Sequence, residues 1–217
     1  MQLQDVYDIP EEVREGPHSP AFTRFLRLFF VNSRLVSNGK ADLSFIGDLT
    51  PHEAEVAKKL LRWNLKLRYT HILKGVAAMG DLTAVPALRA MLADQPDLTW
   101  QLSIAGTLWK LVRDPAFVDC LNRMKSSQSA LLKQAHFYQV LWLGDERAID
   151  LLLDFLEDSD SLVRSLALGS LNSLELGRRL MVPSKQLPNA AAYYLERRHD
   201  RELRQLMVRN IPAVAFW

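Results

Sequence analysis

A recurrence of about 32 residues constrains the fold of this chain more than any other feature of its sequence. The tripeptides Met79-Gly80-Asp81, Val112-Arg113-Asp114 and Leu143-Gly144-Asp145 mark successive copies, and their aspartates are 33 and 31 residues apart. In the clearest copy, from Leu143 to Leu171, an amphipathic stretch is followed by Asp158-Ser159-Asp160 and a second apolar run. Two helical segments per copy at this period predict a helical solenoid, in which each unit packs on its neighbours.

The recurrence divides residues 50–176 into about four predicted helical hairpins. The first hairpin diverges from the others and begins at Thr50-Pro51-His52-Glu53, a capping box in which Thr50 and Glu53 cap each other's amides. The pattern stops at Leu176-Gly177-Arg178, where arginine replaces the aspartate. The predicted helix pairs are 51–62 with 65–79, 82–93 with 99–112, 115–124 with 129–143, and 146–157 with a second helix from 161.

The two ends, residues 1–49 and 177–217, lie outside the repeats. Residues 1–18 are acidic and contain prolines, which predicts an extended arm, and Ser19-Pro20 then opens a capping helix with one aromatic face. At the other end we expect a loop over 178–189, two short helices from 190 and 200, and an apolar tail. The tail, Ile211–Trp217, is expected to pack on the last repeat or in a partner.

One pattern in the repeats carries a family resemblance. Asp160-x-x-Val163-Arg164-x-x-Ala167-x-x-x-Leu171, preceded by Leu143-Gly144-Asp145-x-x-Ala148-Ile149-x-x-Leu152, resembles a HEAT repeat. It is most similar to the short bacterial HEAT-like repeats of phycobilisome lyases, over about residues 50–176. The resemblance implies an all-α fold, a right-handed α-solenoid of HEAT-like helical hairpins with divergent N- and C-terminal capping helices.

Physical chemistry explains most of the repeated residues without a ligand. Gly80 and Gly144 suit the left-handed position that ends a helix, and an N-cap aspartate contributes about 1 kcal/mol to the helix that it begins. The predicted N-cap residues are Asp81, Asp114 and Asp145.

Basic side chains also recur near the starts of the second helices. Arg68, Lys133 and Arg164 occupy these places, and Gln101 stands in the remaining copy. In HEAT repeats this position resembles a rung of an aspartate–arginine ladder between neighbours. The alternative is that these basic groups also face a ligand.

The sequence offers little for catalysis. It contains no nucleophile elbow, phosphate-binding glycine loop or dinucleotide fingerprint. The dipeptide His52-Glu53 resembles the metal-binding pairs of HEAT-like deoxyhypusine hydroxylase, but it occurs once, and the capping box already explains Glu53. Cys120 is most simply a small buried residue. We therefore predict no metal, no cofactor and no catalytic residues.

Composition and charge limit the possible locations and partners of the protein. The chain is 48% hydrophobic and 24% charged, typical of a packed protein. No secretory signal or bilayer-spanning run is recognisable, and a single cysteine suits a reducing compartment, so we expect a cytoplasmic protein without membrane association. Residues 81–176 carry a net charge of −5 and residues 177–217 a net charge of +5. Acidic repeats disfavour nucleic acid as a partner.

These observations predict a non-catalytic scaffold or adaptor for protein–protein interaction, such as an inhibitor, an immunity protein or an assembly factor. Its partner would be another protein, and a basic one if the groove is acidic. The candidate binding residues lie on the second helices: Arg68, Trp100, Lys133, His136, Tyr138 and Arg164. The alternative is an enzyme of the HEAT-like class, similar to a bilin lyase or a DNA glycosylase.

Overall fold

A computed structural model describes residues 7–37, 41–177 and 187–214. Every regular element in these ranges is helical, which confirms the predicted all-α class. No helix in the described ranges is both long and apolar enough to cross a bilayer. The chain divides into two compact units, Met1–Pro115 and Ala116–Trp217. The solenoid arrangement and the division at residues 50 and 177 stay predictions.

The first unit is organised around its second helix. Ser19 caps this helix by accepting a hydrogen bond from the Phe22 amide at 3.1 Å, and Pro20 occupies its first turn, as predicted. Its apolar face is almost fully buried, and it packs against the helices that begin at Pro51 and Thr70. The α-helices of this unit are α1 (Glu11–Glu15), α2 (Pro20–Phe30), α3 (Arg34–Ser37), α4 (Pro51–Trp63), α5 (Thr70–Ala78), α6 (Val85–Ala93) and α7 (Leu98–Val112).

A glycine permits the close packing of α5 in this core. A Cβ atom placed on Gly75 would lie 2.7 Å from both Phe29 Cε1 and Leu61 Cδ2. These two side chains belong to α2 and α4, so the missing side chain of Gly75 brings three helices together. Substitution here would overpack the centre of the unit.

The N-terminal segment differs from the predicted extended arm. Residues 7–18 include α1, and Tyr7 and Ile9 are buried. The Asp8 amide donates to Asn64 Oδ1 at 2.8 Å, and Asn64 Nδ2 donates to the Asp8 carbonyl at 3.2 Å. Asn64 is itself fully buried, so a paired amide fixes the segment to the end of α4.

The second unit departs from prediction in its second helix. The predicted helix 129–143 ends at His136, and a 3₁₀ segment continues it from Phe137 to Leu143. Such a segment is long for a 3₁₀ helix. The α-helices of this unit are α8 (Ala116–Ser126), α9 (Ala130–His136), α10 (Glu146–Phe155), α11 (Ser161–Leu176), α12 (Leu187–Glu196) and α13 (Arg201–Val214).

The C-terminal helices also differ from the prediction. The last helix, α13, extends to Val214 and packs on α10 and α11, and Ile211 of the predicted tail is buried within it. The predicted loop falls mainly on residues 178–186, outside the described ranges, as does the end of the tail at 215–217.

The sequence recurrence has a local structural counterpart in the turns before the second helices. In each turn the side chain two residues before the N-cap accepts a hydrogen bond from the N-cap amide, at 2.9 to 3.2 Å. The N-cap side chain then accepts from amides in the first helical turn. The N-caps of the three turns are Asp97, Ser129 and Asp160.

Candidate functional site

Two of the predicted binding residues are engaged within the second unit. Lys133 Nζ lies 2.6 Å from Asp158 Oδ2, and both side chains are more than nine-tenths buried. Arg164 Nη1 donates to the carbonyl oxygens of Asp158 and Ser159 at 2.7 and 2.8 Å. Both cations therefore hold the α10–α11 turn. Lys133 links one predicted hairpin to the next, as a rung would, whereas Arg164 contacts only the turn of its own hairpin.

Arg68 has a different environment from these rungs. Lys133 and Arg164 lie four residues after their N-caps, whereas Arg68 precedes Tyr69, the N-cap of α5. Its backbone is left-handed, with φ of 54°, and its side chain is exposed. The sequence grouping of Arg68 with the rungs was wrong, because the connection before α5 differs from the other turns.

The glycines and aspartates of the motif take conformational roles. Gly80 and Gly144 have φ of 59° and 76° at helix ends. Asp81 accepts from the Thr83 amide at 3.2 Å, and Asp145 accepts from the Arg147 amide at 3.0 Å. Asp114 accepts from Arg89 Nε at 2.9 Å.

The two central candidates of the second unit separate into a buried and an exposed residue. His136 is buried, and its Nδ1 lies 2.9 Å from Gln139 Nε2. Tyr138 is 43% exposed. Tyr138 can therefore contact a partner directly, whereas His136 pairs with a side chain of the 3₁₀ segment that follows α9.

Two exposed leucines of the second helices were missed in the sequence. Leu131 is 77% exposed and Leu162 is 44% exposed, and each lies two residues after the N-cap of its helix. Because α9 packs on α11, we group the exposed apolar side chains of these helices with Tyr138 and call the group the second-helix face. It consists of Leu131, Ala135, Tyr138, Leu162 and the half-buried Leu166.

The second-helix face carries no unengaged charge. Lys133 and Arg164 are held as described, and Glu175 accepts from the hydroxyls of Tyr193 and Tyr194 at 2.9 and 2.6 Å. No other Asp, Glu, Lys or Arg occurs in residues 130–143 or 161–176. The acidic groove expected from the net charge is therefore not found on this face.

Three acidic side chains of the second unit lie on α10 and are paired. Asp154 pairs with Lys125 at 2.9 Å and with Arg198. Arg204 lies 2.9 Å from Asp150 and 3.3 Å from Glu146. The pairing lowers the pKa of Asp154, although burial alone would raise it. These pairs also engage part of the basic C-terminal run.

The first unit brings Arg68 and Trp100 together around a cavity of about 370 Å³. Its most buried polar member, His71, lies with Nε2 3.0 Å from the Tyr7 hydroxyl. Burial lowers the pKa of His71 to about 4, so the ring is neutral at pH 7. The described lining consists of Tyr7, Ser33, Ser37, Arg68, Tyr69, Thr70, His71 and Trp100.

A second cavity, of about 400 Å³, lies between α1 and α4 and includes His52, Glu53 and Trp63 in its lining. The carboxylate of Glu53 accepts hydrogen bonds from the amide and hydroxyl groups of both Ser19 and Thr50 at 3.0 to 3.1 Å. The predicted capping box is confirmed. Burial alone would raise the pKa of Glu53, but these hydrogen bonds hold it at about 2.

Among the described residues, no group of three or more His, Cys, Asp or Glu side chains is placed to hold a metal ion. Cys120 is buried, which raises the pKa of its thiol. Comparison with protein-family models, curated proteins and solved structures gave no match. The similarity to HEAT repeats therefore stays a prediction from the motif.

Proposed function

We propose that this protein is a non-catalytic protein-binding module whose second-helix face binds an amphipathic helix of a partner protein. The observation that carries the proposal is the 77% exposure of Leu131, together with the exposed side chains of Tyr138 and Leu162. Burying an exposed leucine side chain contributes about 1.5–3 kcal/mol. An apolar contact surface that contains an exposed tyrosine is typical of binding hot spots.

The spacing of the exposed residues favours a helical partner. Leu131 and Ala135 lie at i and i+4 on α9, and Tyr138 follows in the 3₁₀ segment Phe137–Leu143. A partner helix that presents apolar residues at successive turns can contact such a row of side chains. The five residues of the face are uncharged, so binding on them avoids the cost of desolvating an ion.

The chemistry of the face favours an apolar partner surface over a basic one. Acidic groups on α10 and at the helix caps already have partners within the unit, which makes them less available to a basic protein. The face gives no support to a DNA glycosylase, since such an enzyme needs a basic groove along the nucleic acid.

The proposal is tested by capture of partners from the native cell with the intact protein and two matched variants. Leu131→Asp places a charge at the most exposed residue of the face, and Asn122→Asp places the same charge on an exposed position of α8. We expect Leu131→Asp to reduce recovery of a specific partner at least tenfold, and Asn122→Asp to leave it unchanged. Equal recovery with both variants would reject the second-helix face as the binding surface.

A further inference from the structure

The cavity around His71 combines hydrogen-bond donors and aromatic rings, and the protein-binding proposal does not use it. It lies entirely within the first unit, where Tyr7 enters from the N-terminal segment and Trp100 from α7. The eight described lining residues include one cation and no carboxylate. This donor-rich lining favours a ligand that carries acceptors and negative charge.

A hydrogen bond to Tyr7 orients His71. The Tyr7 hydroxyl lies 3.0 Å from His71 Nε2. A neutral imidazole has one donor and one acceptor nitrogen, so Nε2 and Nδ1 take complementary roles. Nδ1 has no hydrogen-bond partner among the described residues and remains to hydrogen-bond with a ligand.

Arg68 supplies the charge at this site. No carboxylate of the described residues lies within ion-pair distance of its guanidinium, and its side chain is exposed. Its left-handed backbone ends the 3₁₀ turn Leu65–Leu67, where its amide donates to the Leu65 carbonyl. The adjacent N-terminus of α5 has no side-chain cap, so its amides add to the positive potential.

The aromatic groups select the shape of the ligand. The rings of Tyr69 and His71 stack with centroids 5.4 Å apart, and Tyr7 meets Tyr69 edge to face at 6.0 Å. Trp100 adds a large half-buried ring to the same lining. Ring surfaces at these positions favour a planar group.

We propose that this cavity binds a small ligand in which a planar ring carries a carboxylate or phosphate group. Arg68 forms an ion pair with the anionic group, His71 hydrogen-bonds to the ligand through Nδ1, and Tyr69 and Trp100 contact the ring. The volume of about 370 Å³ is near the lower limit for ligand sites, which suits one ring or a fused pair.

The test is a titration of the intact protein, followed by NMR, with benzoate and with phenyl phosphate. Benzyl alcohol provides the ring without the charge, and inorganic phosphate provides charge without the ring. We expect at least one aromatic anion to bind tenfold or more tightly than both controls, and the tighter anion identifies the preferred group. Binding of benzyl alcohol or inorganic phosphate with the affinity of the tighter aromatic anion would overturn the proposal.

The variants Arg68→Asn and Arg113→Asn provide a matched pair. Both arginines have left-handed backbones in the same unit, and asparagine tolerates this conformation well. Arg113 lies over the Trp109 ring and is not part of the cavity lining. Arg68→Asn should weaken binding of the aromatic anion at least tenfold, while Arg113→Asn changes it less than twofold. Equal effects of the two variants would contradict the assignment of Arg68.

Discussion

At the level of single residues, Arg68 and Arg113 adopt the same left-handed backbone conformation in two different structural settings. Arg113, with φ of 56°, occupies the place that Gly80 and Gly144 hold in neighbouring copies, so it ends α7 as those glycines end their helices. Arg68, with φ of 54°, ends the 3₁₀ turn Leu65–Leu67, and its side chain lines the cavity of the first unit. The recurrence therefore predicts the role of Arg113, whereas the 3₁₀ turn that Arg68 ends has no counterpart in the repeated pattern.

Glu53 gives a pH-dependent prediction at the residue scale. Because the pKa of Glu53 is about 2 in the folded protein and near 4.3 in an unfolded chain, its contribution is fully present above about pH 5. That contribution is lost as the pH falls towards 2. We expect Glu53→Gln to lower the free energy of unfolding by about 1 kcal/mol at pH 7, as loss of a cap does, and the difference from wild type to shrink below pH 4.

The matched control for this prediction is Glu55→Gln on the same helix. Glu55 is exposed and pairs with Lys58 on the surface at 2.9 Å. Urea unfolding at pH 7, 4 and 2.5 measures both variants. If Glu53→Gln and Glu55→Gln follow the same pH dependence, the four hydrogen bonds to Glu53 do not stabilise the fold as described.

At the level of helices, two glycines predict opposite effects of the same substitution. Gly75→Ala should destabilise the protein by about 1–3 kcal/mol, because the new methyl group would lie 2.7 Å from Phe29 and Leu61 atoms. Gly169→Ala, within α11, meets no atom within 4 Å and should stabilise the protein by about 0.5–1 kcal/mol. Thermal unfolding of the two variants measures both effects, and a stabilising Gly75→Ala would contradict the described packing.

The Lys133–Asp158 pair tests whether the rung is structural. Lys133→Met leaves the buried Asp158 carboxylate without its cation, which should cost about 3–5 kcal/mol. Adding Asp158→Asn to this variant removes the uncompensated charge and should recover part of the loss. Urea unfolding of the single and double variants measures the coupling. If Lys133→Met is as stable as the wild type, the pair does not stabilise the fold, and the interpretation that Lys133 faces a ligand is favoured instead.

The change from α-helix to 3₁₀ helix at Phe137, in the third predicted hairpin, is also a property of a whole helix. Phe137, Val140 and Leu143 are all buried and lie three residues apart, the period of a 3₁₀ helix. The same residues also fit the apolar stripe of a continuous α-helix, so the sequence predicted one helix over 129–143. Packing between elements decided the outcome, and the pattern of apolar residues alone does not contain that information.

At the level of the whole molecule, the sequence predicted features that depend on neighbours in the chain. The aromatic face of α2, the capping box and the turns before the second helices follow from local spacing. The hydrogen bond between Tyr7 and His71 joins residues 64 positions apart, and the buried Asn64 pairs with Asp8 over 56 positions. Contacts between residues so far apart in the chain cannot be predicted from periodicity or motifs. The sequence therefore gave no indication of the cavity, although Arg68 and Trp100 were among the predicted binding residues.

The charge of the proposed binding surface could not be predicted from the net charge of the repeats either. The net charge of −5 over residues 81–176 predicted an acidic groove, but the acidic side chains sit at caps and on α10. The second helices themselves are nearly free of charge. A count restricted to those helices would have pointed to an apolar surface.

Site-specific photo-crosslinking in the native cell tests most directly whether the second-helix face contacts a partner helix. p-Benzoylphenylalanine is placed at Leu131, at Leu162 and, as a control, at Asn122 on α8. If the face binds a partner helix, we expect crosslinks from positions 131 and 162 to one amphipathic helix of the same partner, and none to that helix from position 122. Crosslinks from 122 that match those from 131, or no crosslink from either position of the face, would contradict it.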